Sequence, residues 1–143
     1  MQVKHILTEK GREVVTISAD ATISEAARLM ARRRIGAVVV RNGDGSISGI
    51  FSERDLVHAV ADESVSALGK TVGSKMTRNV TICTECDSIE GLMETMTRGR
   101  FRHVPVIEDE QIVGIVSIGD VVKSRIAETL REAEDLRGYI AAR

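Results

Sequence analysis

Apolar positions along the chain follow two alternating rhythms, and the whole succession occurs twice. Glu13 to Ile17 is a short β-branched run that predicts a strand. Ile23, Ala26, Ala27, Met30 and Ala31 then recur at helical spacing behind Thr22 and Glu25, a capping-box pair. Ala37 to Val40 is apolar throughout, as in a strand covered on both faces. A Gly-rich turn at Asn42 to Gly45 leads to a partner strand, Ile47 to Phe51, and Ser52 opens a second helix. A second strand–helix–strand–strand–helix succession follows, with Asn79-Val80-Thr81-Ile82 as its first strand and Asp87 and Glu90 at the start of its first helix.

The two successions are copies. Val14-Val15-Thr16-Ile17 returns 65 positions later as Asn79-Val80-Thr81-Ile82, and Gly49 to Val57 returns 65 later as Gly114 to Val122. Between them the offset is 66, with Met30 on Met96, Arg34 on Arg100 and Val38-Val39-Val40 on Val104-Pro105-Val106. Copy two thus gains one residue before its first helix and loses one in its hairpin loop, as a duplicated fold tolerates. The expected organisation is a first domain over 1–63, a linker over 64–74, a second domain over 75–126 and a helical extension over 127–143. The extension carries Ile126, Leu130, Ala133, Leu136 and Ile140 on one side of a helix running from Val121 to Ile140. Copy one has no such stripe, so it requires a partner surface.

Composition narrows the class. Aromatic residues make up 2% of the chain, too few for stacking platforms on single-stranded nucleic acid. The net charge of -1 provides no basic field for nucleic acid, although arginines cluster at 32–34 and at 98, 100 and 102. No apolar run reaches the length of a membrane span. The start, Met1 to His5, lacks the apolar core of a signal peptide, and two Cys make no disulfide framework. A cytoplasmic location with reduced thiols is expected.

The order of elements, the duplication and the strand-end signature Gly-apolar-apolar-Ser-x-x-Asp resemble the CBS domain pair, as does Arg100-Phe101-Arg102-His103-Val104-Pro105-Val106. The likeness covers about residues 3 to 126. It implies an α/β (α+β) fold of tandem repeats about a pseudo-two-fold axis, with two clefts that take adenine nucleotides such as AMP, ATP or NAD(H). It also implies association into flat homodimers that act on a regulated protein.

Ser52 and Asp55 form a helix cap, which satisfies orphan N–H groups without any ligand. Their recurrence as Ser117 and Asp120, each directly after a strand, favours a second role. A carboxylate matches the two hydroxyls of a ribose, and a helix N-terminus with its serine suits phosphate. Gly36 and Ala37 are small enough for an adenine to approach the backbone, with Thr16 and Ile17 as the opposite wall. In copy two the same places hold Arg102 and His103, with Thr81 and Ile82 opposite, so the two sites are unlike and the second is the more basic. Arg54 stands where copy two has Gly119. Lys75, Thr77, Arg78, Arg98 and Arg100 are candidates for phosphate contacts, and Pro105 belongs to the family-like segment.

Two other function classes compete with a binding module. One is a redox or nucleotide-hydrolysing enzyme using Cys83 and Cys86, or His103 as a base. No nucleophile is motif-linked to His103, and a zinc site would need a second Cys pair, so neither catalysis nor a metal is expected. The other is a purely structural interaction protein.

Overall fold

A computed structural model describes residues 1–141 as two compact units, one formed by Val14–Val80, the other by Met1–Glu13 together with the chain from Thr81 onward. In chain order the elements are α1 (Val3–Lys10), β1 (Thr16–Ser18), α2 (Ile23–Arg33), β2 (Ala37–Arg41), β3 (Ile47–Ser52), α3 (Glu53–Glu63), a 3-10 segment (Ser64–Gly69), α4 (Val72–Lys75), α5 (Ile89–Gly99), β4 (His103–Glu108), β5 (Gln111–Ser117) and α6 (Ile118–Ala141). The last two residues of the expected extension lie outside the described residues.

In the first unit β2 is central, parallel to β1 and antiparallel to β3, with Thr16 opposite Val39 and Ala37 opposite Ser52. Val38, Val39 and Val40 are fully buried, which explains why that run shows no polar alternation. Ile23, Ala26 and Met30 pack α2 onto Val38, Val40 and Phe51, together with Ala67 and Val72 from the 3-10 segment and α4. In the second unit β4 pairs with β5, His103 opposite Ser117. Ile89, Leu92 and Met96 of α5 pack on Val104, Val106 and Val116, and α1 supplies Val3, Ile6 and Leu7.

Helices α1 and α4 are counterparts. Val72 N–H donates to the Ala21 carbonyl at 2.8 Å and Gly73 N–H to that of Ala19 at 2.9 Å; Val3 and Lys4 donate to Asp87 and Glu85 at 2.9 and 3.0 Å. Each of these helices packs with the other copy, so the compact units do not follow the boundaries expected from the repeat. Residues 1–13 join copy two. The segment 64–74, expected to be a linker, holds the 3-10 turn and most of α4 and contributes to the first core.

Copy two also departs from the expected strand at 79–82. Only one parallel bridge forms there, Cys83 opposite Val106, with Cys83 N–H donating to the Pro105 carbonyl at 3.0 Å. In copy one, Val39 N–H donates to the Val15 carbonyl at 3.0 Å. Pro105 takes the place of Val39 and has no N–H, so that rung cannot form. The bridge also corrects the match between copies. Ile17 pairs with Val40 as Cys83 pairs with Val106, so Thr16 and Ile17 correspond to Ile82 and Cys83, not to Thr81 and Ile82. The helix start follows suit: Ser88, not Asp87, is the N-cap of α5, its side chain accepting from Gly91 N–H.

Candidate functional site

The strand registers and the helix starts bring Gly36, Ala37, Ser52, Asp55 and Thr77 together in the first unit, and Arg102, His103, Ser117 and Asp120 in the second. In the first, Ala37 faces Ser52 across the β2–β3 ladder, and the Gly36 carbonyl accepts the first N–H of α3, from Glu53, at 2.9 Å. Ser52 caps the helix in both directions: Asp55 N–H donates to its Oγ at 3.3 Å, and Ser52 N–H donates to Asp55 Oδ2 at 2.9 Å. The Ser52 hydroxyl also donates to Oδ2, at 3.1 Å. The other carboxylate oxygen, Oδ1, accepts from Thr77 Oγ1 at 3.0 Å. Thr77 reaches that position because it pairs with Ile50, each N–H donating to the other's carbonyl at 2.8 and 3.0 Å. Gly49 makes this approach possible, since a Cβ there would collide with the Thr77 carbonyl oxygen.

The second unit repeats the frame with different chemistry. His103 faces Ser117, and the Arg102 carbonyl accepts the Ile118 N–H at 2.8 Å. Ser117 N–H donates to Asp120 Oδ2 at 2.9 Å, and Asp120 N–H to Ser117 Oγ at 3.2 Å. Among the described residues no threonine closes this carboxylate. Lys10, from the end of α1, donates from Nζ to Asp120 Oδ2 at 2.6 Å and to the Ile115 carbonyl at 2.9 Å. Ile115 is the counterpart of Ile50, so one ammonium replaces both a backbone N–H and a hydroxyl of the first unit. Burial alone would raise the Asp120 pKa, but the hydrogen bonds from Lys10 and Ser117, with the Lys10 charge, hold it below the ordinary carboxylate value.

Lys10 was not among the residues expected from the sequence. The hydrogen bonds that match Val3 with Val72 and Lys4 with Gly73 put Ile6, not Lys10, in the place of Lys75, so the repeat carries no signal for Lys10. Lys75 itself pairs with Glu63 at 3.4 Å, and Arg78 donates to the Gly73 carbonyl at 3.0 Å. Arg100 holds the left-handed position that ends α5, as Arg34 does for α2. Arg54 and Arg102 have exposed side chains, and Pro105 is buried in β4. Thr81 and Ile82 line a cavity of about 270 Å³ with Cys83, Ser88 and Leu92; Ser117, Asp120, Arg102 and His103 are not among its walls.

Cys83 is a core residue, as its match to Ile17 implies, while Cys86 is exposed. Burial, aided by the Asp87 charge, pushes the Cys83 thiol up to about 12, opposite to the direction a reactive thiolate requires.

Residues 3–62 and 70–127 each match the family model of the CBS domain. The CBS domain-containing protein CBSX3, mitochondrial, of Arabidopsis thaliana is 32% identical over 96% of this chain and 71% of its own length. The chain spans only 24% of a longer relative, CBSCBSPB1 of the same plant, at 29% identity over 91% of this chain. Among solved structures, the CBS-domain containing protein ATU1752 from Agrobacterium tumefaciens superposes with a TM-score of 0.85 at 52% identity, over 87% of this chain and 92% of that one. A CBS domain protein from Pyrobaculum aerophilum, PAE2072, complexed with AMP, gives 0.73 at 28% identity over 84% and 89%. The CBS domain pair of protein MJ0100, in complex with 5-methylthioadenosine and S-adenosyl-L-methionine, gives 0.79 at 26% over 90% and 98%.

Proposed function

Because the chain belongs to the CBS domain family and carries two copies of that domain, we propose that it is a non-catalytic regulatory module that binds adenine nucleotides and signals their presence to a partner protein. The observation that carries this reading is the duplicated carboxylate at a capped helix start, Asp55 after Ser52 and Asp120 after Ser117. Each stands beside a strand end that supplies a backbone wall, at Gly36–Ala37 and at Arg102–His103. A carboxylate accepts from both hydroxyls of a ribose, while the helix N-terminus favours phosphate. The ligands of the related structures, AMP in one and an adenosine thioether and an adenosine sulfonium in another, share the adenosine and differ in the attached group. On this reading Asp55 and Asp120 hold the ribose, and Thr77, Ser52 and Ser117 hold the carboxylates or the phosphate. AMP, ATP and NAD(H) are the ligand candidates.

The partner-binding assembly we favour is a homodimer built through α6. Val122, Ile126, Leu130, Leu136 and Ile140 are each at least 44% exposed on that helix, an apolar stripe of the kind that marks an interface. Two free thiols, Cys83 and Cys86, fit a reducing compartment such as the cytoplasm.

Thermal unfolding with AMP, ATP, NADH and S-adenosylmethionine tests the reading. A ligand present at 100 times its Kd adds about 2.7 kcal/mol of stability, a shift of several degrees for a chain this size. No shift with any of the four at millimolar concentration would reduce the module to an interaction scaffold. Turnover of ATP or NADH would replace it with an enzyme.

A further inference from the structure

The two carboxylates at the helix starts are closed by groups of different charge. Asp55 is closed by the neutral Thr77 hydroxyl, and Asp120 by the Lys10 ammonium. Resting on the nucleotide reading above, we infer that Lys10 sets the ligand charge class of the second unit: it makes the Asp120 site the one that accepts adenosine ligands carrying several negative charges, leaving the Asp55 site to ligands carrying few.

The argument is electrostatic. A phosphate chain on the 5′ carbon is covalently tied to the ribose, so a carboxylate that holds the diol necessarily stands near it. A bare carboxylate repels that chain. At Asp55 the partners Ser52 and Thr77 are neutral, and the repulsion stays. At Asp120 an ammonium 2.6 Å away cancels the carboxylate charge. The lowered pKa of Asp120 keeps its carboxylate charged in the neutral range, facing the Lys10 ammonium. Arg102, in the place of Gly36, adds positive charge on the same side. Arg54 opposes the difference, since it lies between Ser52 and Asp55 where the second unit has Gly119. Against that one arginine the second unit sets Arg102 and the Lys10 ammonium, which is in contact with two protein acceptors.

Lys10 also ties α1 to β5 through the Ile115 carbonyl, so a purely supporting role must be told apart from charge selection. Adenosine and ATP are titrated calorimetrically into wild type, Lys10→Met and Lys10→Arg, each in an Asp55→Asn background so that the Asp120 site reports. Lys10→Met is expected to weaken ATP about five- to tenfold while changing adenosine less than twofold, and Lys10→Arg to keep most of the ATP affinity. Equal losses for both ligands would overturn the inference and leave Lys10 as a support for Asp120. Should Lys10→Met fail to fold, a salt series on the Asp55→Asn protein decides. An ATP-over-adenosine preference that shrinks between about 0.05 and 0.5 M salt supports charge selection, and one that does not shrink overturns it. If wild type binds neither ligand, the nucleotide reading itself fails, and this inference falls with it.

Discussion

Thr77 Oγ1 donates a 3.0 Å hydrogen bond to Asp55 Oδ1, while Asp55 Oδ2 accepts from the N–H and hydroxyl of Ser52. The carboxylate proposed to receive a ribose therefore already caps α3 and fastens the segment after α4 to it. Binding and stability are coupled at this residue.

Asp55→Ala is expected to cost stability as well as affinity, about 0.5–2 kcal/mol from loss of the reciprocal cap. Asp55→Asn keeps a side-chain acceptor for the Ser52 N–H and loses the charge, so it should melt within a degree or two of wild type while losing measurable nucleotide binding at that site. Paired thermal melts and calorimetric titrations check this. An Asp55→Ala protein as stable as wild type would show that the cap bonds are energetically idle.

Gly49→Ala is expected to disturb the same arrangement from beneath. Its Cβ would meet the Thr77 carbonyl oxygen, a backbone atom, and lie 3.1 Å from Met76 Sδ. Gly114 is the counterpart, but there a Cβ would meet the Leu7 side chain at 2.6 Å, which can rotate away. Gly49→Ala should therefore cost about 1–3 kcal/mol and Gly114→Ala less, by urea denaturation. Equal costs would mean that the Ile50–Thr77 bridge moves as easily as a leucine.

Much of this was legible in the sequence because the repeat doubles every local signal. Ser-x-x-Asp after a strand, the apolar stripe of α2 and the continuous run Val38 to Val40 each come with a second copy. What escaped was set by contacts distant in the chain. Lys10 meets Asp120 across 110 positions, and no local pattern announces a lysine that substitutes for a threonine hydroxyl and a backbone N–H. The packing of α1 with copy two is equally non-local. The missing strand at 79–82 depends on one residue, Pro105, whose absent N–H lies on the facing strand. The one-residue mismatch between the copies has a separate cause: Thr81-Ile82 repeats the residues of Thr16-Ile17, while the bridge of Cys83 to Val106 puts Ile82 and Cys83 in their places.

Acid should weaken the Lys10–Asp120 pair. The folded-state pKa of Asp120 lies below its ordinary value of 3.8, so the pair's contribution is complete above that value and is lost as pH falls through the folded-state pKa. In Lys10→Met the lowering by the Lys10 hydrogen bond and charge is absent, and only the Ser117 hydrogen bonds oppose the effect of burial. The stability gap between wild type and Lys10→Met is thus expected to be constant near neutrality and to narrow below about pH 4. A remainder should persist from the Ile115 carbonyl bond, which does not titrate in acid. Melts of both proteins from neutral to strongly acidic pH measure the gap; an undiminished gap in acid would assign the effect of Lys10 to packing.

The two thiols should differ sharply in reactivity. Cys86 is exposed and is expected to react with a disulfide reagent in the native protein, whereas Cys83, 5% exposed, should react only on unfolding. Its thiol pKa is raised from 9.0 to about 12, so stability from keeping it neutral is full below pH 9 and is lost as pH rises toward 12. Cys83→Ser places a hydroxyl in that core at a cost of about 1–3 kcal/mol. Two fast-reacting thiols in the folded protein would revive the redox reading.

The apolar stripe of α6 yields the last expectation, that the full chain is a dimer in solution. Val121 is buried in the second core and fixes the start of the helix, while Ile126 and Leu130 beyond it are 57% and 60% exposed. Burying an aliphatic side chain of this size is worth about 1.5–3 kcal/mol. In a two-fold interface each substitution counts twice. Ile126→Asp combined with Leu130→Asp therefore removes four such contributions and should convert a dimer to a monomer at micromolar concentration. Neither residue is in a core cluster, so the melting transition of the isolated chain should persist, at a lower temperature if association adds to stability. Light scattering on wild type and variant reads the mass directly. A monomeric wild type at tens of micromolar would leave the stripe to a different protein, and a variant that stays dimeric would move the interface away from α6.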